Sequence, residues 1–211
     1  MIIKGGTFGP VATNTYVVFA ERGGPAIAVD APWGGIEWVD HTLARNDLTL
    51  EALYLTHGHW DHCVDAYRFA ERGVPVWAGG GDEDWMADPA PFNPALFGNP
   101  PKRPGVTPDR VVGEGDTLEF GGLTLHMLHT PGHSPGCWTA WDKEHGEALV
   151  GDLIFAQGIG RTDFPRSSPR DMLASLERVM TEIPGDHRIY PGHGPWGVTM
   201  REAEPWARMF M

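Results

Sequence analysis

The sequence predicts an α/β chain, and three observations carry that reading. Apolar, β-branched runs at 14–20 (NTYVVFA), 25–30 (PAIAVD) and 52–56 (ALYLT) are bounded by Gly and Pro, as strands are. Segments 35–46 (GIEWVDHTLARN) and 60–72 (WDHCVDAYRFAER) repeat apolar residues at three- and four-residue steps, the period of an amphipathic helix packed on a sheet. The same period returns at 169–182 (PRDMLASLERVMTE), so helices alternate with strands to the end of the chain.

The elements follow in order. After the early strands and the two helices, the stretch 81–109 breaks the pattern. Pro89, Pro91, Pro94, Pro100, Pro101, Pro104 and Pro108 fall among Trp85, Met86, Phe92 and Phe97, which excludes long regular helices. An aromatic, Pro-rich excursion of this kind suits either a lid over a pocket or a packed connecting loop. Strands are expected at 117–120 and 123–129, joined at Gly121-Gly122, then at 147–151, and after the 169–182 helix at 187–190. The two halves repeat the order of strands and helices, but their sequence likeness is too faint to establish duplication. At 211 residues, one domain spanning 1–211 is expected.

Composition narrows the function classes. No stretch approaches the roughly 18 apolar residues of a membrane span, and the start MIIKGGTFGP lacks a charged segment followed by an apolar run. A cytoplasmic chain without a membrane partner is expected. Cys63 and Cys137 are too few for a disulfide framework and are expected to be reduced packing residues. A net charge of -12 without a basic patch argues against nucleic acid. Nothing calls for an obligate protein partner.

The chemistry is concentrated in four segments. Thr56-His57-Gly58-His59-Trp60-Asp61-His62 follows an expected strand and opens an expected helix, placing three of the chain's 10 histidines beside an aspartate. Imidazole with carboxylate suits zinc or a similar transition metal. His57 and His59, at alternate positions, should face one way and Asp61 and His62 another, which favours two adjacent ions over one. Thr130-Pro131-Gly132-His133-Ser134-Pro135-Gly136, Val150-Gly151-Asp152 and Tyr190-Pro191-Gly192-His193-Gly194-Pro195 each end a strand in a turn with one metal-competent side chain. Singly, each reads as an ordinary turn; with the first cluster they read as ligands.

The succession HGHWDH, PGHSPG, GD and PGHG resembles the metallo-β-lactamase superfamily over nearly the whole chain. That resemblance implies a four-layer αββα sandwich. Gly160-Arg161-Thr162-Asp163-Phe164-Pro165, soon after GDLIF, is similar to the glyoxalase II-like branch, in particular the short, single-domain bacterial hydroxyacylglutathione hydrolases. Carried over by position, His57, His59 and His133 would hold one divalent metal and Asp61, His62 and His193 a second, with Asp152 bridging. The metals implied are zinc, with iron or manganese as alternatives.

The activity implied is hydrolysis of a thioester, S-lactoylglutathione or a related acyl thiol. A shared, metal-activated water would be the nucleophile, and Asp61 and Asp152 the catalytic carboxylates. Asp152 argues against β-lactam hydrolysis as the main role, because lactamases of this superfamily use no bridging aspartate there. Full-length glyoxalase II would add a helical glutathione-binding domain, and 18 residues follow His193. The GRTDF segment also resembles persulfide dioxygenases, whose single Fe²⁺ would correspond to His57, His133 and Asp152. A non-catalytic metal scaffold is a further alternative.

Arg161 is a candidate substrate-binding residue for a carboxylate, in competition with local pairing to Asp163. His41, His126, His129, His145 and His187 are read as structural, with His129 the one placed to support His133. Asn14 and Tyr16 are read as packing or turn residues.

Overall fold

The computed structural model describes residues 1–91, 94–97, 99 and 102–211. Phe92, Pro100 and Pro101, named above in the Pro-rich stretch, lie outside the described residues. The first sheet contains β1 (Ile2–Phe8), β2 (Thr13–Phe19), β3 (Pro25–Val29), β4 (Thr49–Leu55), β5 (Val76–Gly79) and β6 (Arg110–Val112), in that spatial order. The second contains β7 (Thr117–Phe120), β8 (Leu123–His129), β9 (Trp138–Asp142), β10 (Glu147–Gly151), β13 (Arg188–Pro191) and β14 (Val198–Thr199), in the spatial order 7-8-9-10-13-14. A small hairpin of β11 (Ile154–Phe155) and β12 (Gly158–Ile159) follows β10. The helices are α1 (Ile36–Asn46), α2 (Trp60–Cys63), α3 (Ala66–Ala70), α4 (Glu83–Ala87), α5 (Pro169–Glu182) and α6 (Met200–Arg208).

Side-chain alternation turns these elements into four layers. Along β2 and β3, Tyr16, Val18, Ile27 and Val29 point into a core shared with Leu118, Leu125, Met127 and Leu149 of the second sheet. The alternate residues Val17, Phe19, Ala26 and Ala28 pack outward against Ile36 and Val39 of α1 and Phe69 of α3. On the far side, Ala148, Val150 and Ile189 meet Met172, Leu176 and Val179 of α5 and Met200 and Ala203 of α6. Helix, sheet, sheet and helix therefore stack in that order, the expected αββα sandwich. Since both faces of β2 are covered, every one of its residues is buried, the polar Thr13, Asn14 and Thr15 included.

The strands expected at 14–20, 25–30, 52–56, 117–120, 123–129 and 147–151 form within a few residues of those limits, and the 169–182 helix forms at those bounds. Gly121 and Gly122 have φ of 52° and 80°, the mirror-image turn that a two-residue hairpin requires. One expectation is corrected: the helix over 60–72 is two short helices. Between them the Asp65 amide donates to the Ala31 carbonyl and its carboxylate accepts from the Gly34 amide, so tertiary bonds replace a helical turn. No helix among the described residues is long and apolar enough to cross a membrane. Cys63 and Cys137 are buried and unbridged.

Topology sets the position of the site. β3 to β6 run parallel, as do β10 and β13, so the carboxy ends of β3, β4, β10 and β13 carry residues 30, 56–62, 152 and 192–193. Loops at carboxy ends of parallel strands are where such sheets present polar side chains.

Candidate metal centre

All seven expected ligand residues meet in one place. Their donor atoms form three overlapping groups, each within 4.8 Å: His57, His59 and His133; His57, His62 and Asp152; and Asp61, His62 and His193. His59 Nδ1 lies 3.1 Å from His57 Nε2 and 2.7 Å from His133 Nε2. At the other end, His193 Nε2 is 3.4 Å from both His62 Nε2 and Asp61 Oδ2. Asp152 stands between the ends, with Oδ2 3.3 Å from both His133 Nε2 and His193 Nε2 and Oδ1 3.6 Å from His62 Nε2.

The outer hydrogen bonds decide which ring nitrogens carry protons. His62 Nδ1–H donates to Asp30 Oδ2 at 2.7 Å, and His133 Nδ1–H to the Arg161 carbonyl at 2.7 Å. Thr56 Oγ1 gives its own proton to Asp30, so it accepts from His57 Nδ1–H at 3.1 Å. With the Nδ1 positions committed outward, Nε2 of each of the three imidazoles is the atom turned inward and left for a metal. Asp152 Oδ1 is also buried there without a hydrogen-bond partner. Cations satisfy this arrangement, and the nitrogen and carboxylate donors suit a divalent transition metal.

Electrostatics agree with that fit. Burial, with neighbouring His133 adding to it, depresses His59 to about 3. Burial acts against charge on His62 and His193 too, yet the carboxylates of Asp61 and Asp152 win and raise them to about 9 and about 11. Asp61 and Asp152 are held below the usual carboxylate range despite burial, by His62 and His193 among others. Positive charge is therefore favoured at the carboxylate-bearing end.

The centre floors a cavity of about 530 Å³, a size suited to a small-molecule ligand. Val11, Trp60, Phe97, Phe155, Phe164 and Pro165 supply its apolar walls. Arg161 also lines it; its guanidinium donates to both oxygens of Asp163 at 2.9 and 2.7 Å and lies 4.5 Å over Phe164. The Pro-rich segment contributes Phe97 to this wall and buries Met86 in the core.

Several supports escaped the sequence reading. Asp30 orients His62 and receives the Thr56 amide as well, and Thr13 Oγ1 donates to Asp61 Oδ2 at 2.7 Å. Asp82, fully buried, accepts hydrogen bonds from both histidine loops. An acidic residue closing an apolar strand run was the available signal for Asp30. Asn14 and Tyr16 do more than pack: Asn14 Nδ2 donates to the carbonyls of Pro191 and Gly194, and the Tyr16 hydroxyl to that of Pro191, tying down the His193 loop. His129 stacks on Trp138 and its Nε2–H donates to the Pro135 carbonyl, bracing the loop after His133. His145 pairs with Asp142, and His187 accepts from Trp141.

Comparison with known proteins agrees with this geometry. Residues 8–193 match the model of the metallo-beta-lactamase superfamily. The chain is 33% identical over 171 residues to hydroxyacylglutathione hydrolase GloC of Haemophilus influenzae, covering 80% of each protein. Among solved structures, that of the BLEG-1 B3 metallo-beta-lactamase superposes with a TM-score of 0.83 at 32% identity, covering 95% of both chains. TTHA1623 in a di-iron-bound form gives 0.78 at 31% identity, covering 94% of this chain and 96% of that one. Ligand motifs, layered fold and relatives converge on one conclusion: the chain belongs to the metallo-beta-lactamase superfamily.

Proposed function

We propose that this protein is a dinuclear metal-dependent hydrolase of thioesters, such as S-lactoylglutathione or a related acyl thiol. One observation carries the reading: Asp152 stands between two donor groups, His57/His59/His133 and Asp61/His62/His193, and His59, His133, Asp61, His193 and Asp152 line one apolar-walled cavity. Two divalent ions, zinc first and iron or manganese as alternatives, would supply Lewis acidity and an activated water. Hydrolysis adds water across the acyl carbon–sulfur bond and releases a carboxylic acid and a thiol. Asp61 has one oxygen fixed by Thr13, which leaves the other to orient the attacking water. Asp152 sets the spacing of the two ends, and the aromatic walls exclude bulk water from the acyl group. Arg161 is proposed to contact an anionic part of the substrate from the cavity rim. Likeness to GloC supports the thioester class. The substrate is a small molecule, with no nucleic acid, membrane or obligate protein partner, and the cytoplasm is the proposed location.

Likeness to the BLEG-1 lactamase structure favours a second reading, β-lactam hydrolysis, and the same experiment separates the two. Apo and metal-loaded protein are compared on a panel of acyl thiols and a chromogenic β-lactam, with metal analysis on each sample. A further arm follows oxygen uptake with glutathione persulfide. Metal-dependent thioester turnover that exceeds β-lactam turnover, at two ions per chain, is the expected result. Dominant β-lactam cleavage would replace the reading, as would oxygen uptake at one iron per chain.

A further inference from the structure

Gly58, Ser134 and Gly136 belong to the histidine motifs yet offer no metal donor of their own, and all three meet at one carboxylate. Asp82 Oδ2 accepts the Gly58 N–H at 3.0 Å and the Ser134 hydroxyl, while Oδ1 accepts the Gly136 N–H at 2.9 Å. Gly58 lies between the ligands His57 and His59, and Ser134 and Gly136 follow the ligand His133. A single buried side chain therefore ties two ligand loops that are far apart in sequence.

The join is steric as well as polar. A Cβ on Gly58 would stand 2.6 Å from Asp82 Cβ, and one on Gly136 would stand 2.5 Å from Asp82 Cγ. Either addition would push the carboxylate from its donors. The Asp82 carbonyl accepts the amides of Trp85 and Met86 at the start of α4, and the Trp85 ring stacks on His59 at 5.1 Å. Arg166 lies 4.4 Å from the Trp85 ring centre and also bonds Asp84 and the Gly81 carbonyl. Segment 81–87 thus braces one ligand group from behind.

The other group is held by different partners. Asp30 fixes His62, Thr13 fixes Asp61, and the Ala12 carbonyl faces His193 Nδ1. We infer that Asp82 is a positioning residue for the His57, His59 and His133 group alone, holding its two loops at the separation that lets the three nitrogens share an ion. The inference rests on the dinuclear reading above. Asp82→Asn keeps the size of the side chain but turns one acceptor into a donor aimed at donors, so one of the three bonds must fail.

The test is metal affinity, read without turnover. Wild type, Asp82→Asn and Ser134→Ala are loaded with Co²⁺ and titrated against a competing chelator, following the d–d absorption of each site. His59→Ala and His193→Ala assign the bands to the two ends. Loss of an outer-shell partner should weaken the His59 end about 10- to 100-fold in Asp82→Asn, with the His193 end within about threefold of wild type. Ser134→Ala, which keeps both glycine bonds, should move the same end in the same direction by less. Equal weakening of both ends, weakening of the His193 end alone, or no change would overturn the inference. Should Asp82→Asn fail to fold, Ser134→Ala decides by the same criteria. Binding of one ion by wild type would refute the dinuclear reading separately; Asp82 would then be judged on whether that ion, if lost in His59→Ala, is weakened.

Discussion

The two ends of the ligand cluster are built differently. At one end His57, His59 and His133 are 0%, 5% and 4% exposed, and their loops are knitted through Asp82. At the other, the side chains of His193 and Asp61 are 25% and 13% exposed, and the His193 loop is tied by Asn14 and Tyr16 from the first sheet. The difference separates two tasks. On the dinuclear reading proposed above, the buried all-histidine end would retain its ion, whereas the more open, carboxylate-bearing end would exchange water and meet substrate.

Asp152 belongs to both ends, so its removal should have the largest effect. Asp152→Ala is expected to lower kcat on a thioester by about three orders of magnitude or more, because neither end keeps its spacing. A variant within about tenfold of wild type would dissolve the shared-carboxylate picture.

Chelator stripping sharpens the comparison next. Release from the open end should be at least about tenfold faster than from the buried end, giving two phases. His193→Ala should abolish the fast phase and His59→Ala the slow one. A single phase in wild type would show that the two ends are equally accessible.

Arg161→Ala acts on the cavity wall beside His133, where the exposed pairing to Asp163 is weak. KM for anionic thioesters should rise about three- to tenfold with kcat and metal content unchanged, and neutral thioesters should be unaffected. Equal losses on both substrates, or a fall in melting temperature, would make the Arg161–Asp163 pair a loop brace instead.

The smallest effect lies behind the buried end. Glu114 accepts from Arg178 of α5 and from the His129 amide, and the Arg178 bond holds its carboxyl below the usual glutamate range. A lowered carboxylate contributes stability above its unfolded pKa and loses it as pH falls through the folded value. Glu114→Gln should therefore lower Tm by about 1–3 °C near neutral pH, with the gap closing below the ordinary glutamate range. A gap that widens in acid would refute that assignment.

Strands, the long helices and the ligand motifs were legible because each leaves a local trace: alternation, a 3.6-residue period, or histidine beside glycine. β1, β5, β6, β9 and the short β11, β12 and β14 were not; in β1, Gly5 and Gly6 interrupt the pattern, and its order comes from seven-residue pairing with β2. The break at Asp65 was hidden because it is made by partners at Ala31 and Gly34 and not by a local breaker. Asp30 and Asp82 stayed unseen for the same reason. Each is a single acidic residue whose meaning lies in loops brought to it by the fold, and no spacing announces that.

The clasp of β2 on the His193 loop also sets a timetable. The bonds from Asn14 and Tyr16 to residues 191 and 194 join positions 175 to 180 residues apart. Such closures come late, after the loop between them has lost its freedom. In chain order, His57, His59, His133 and Asp152 all precede His193, so the nascent chain holds the residues of one proposed donor group before the last residue of the other is made.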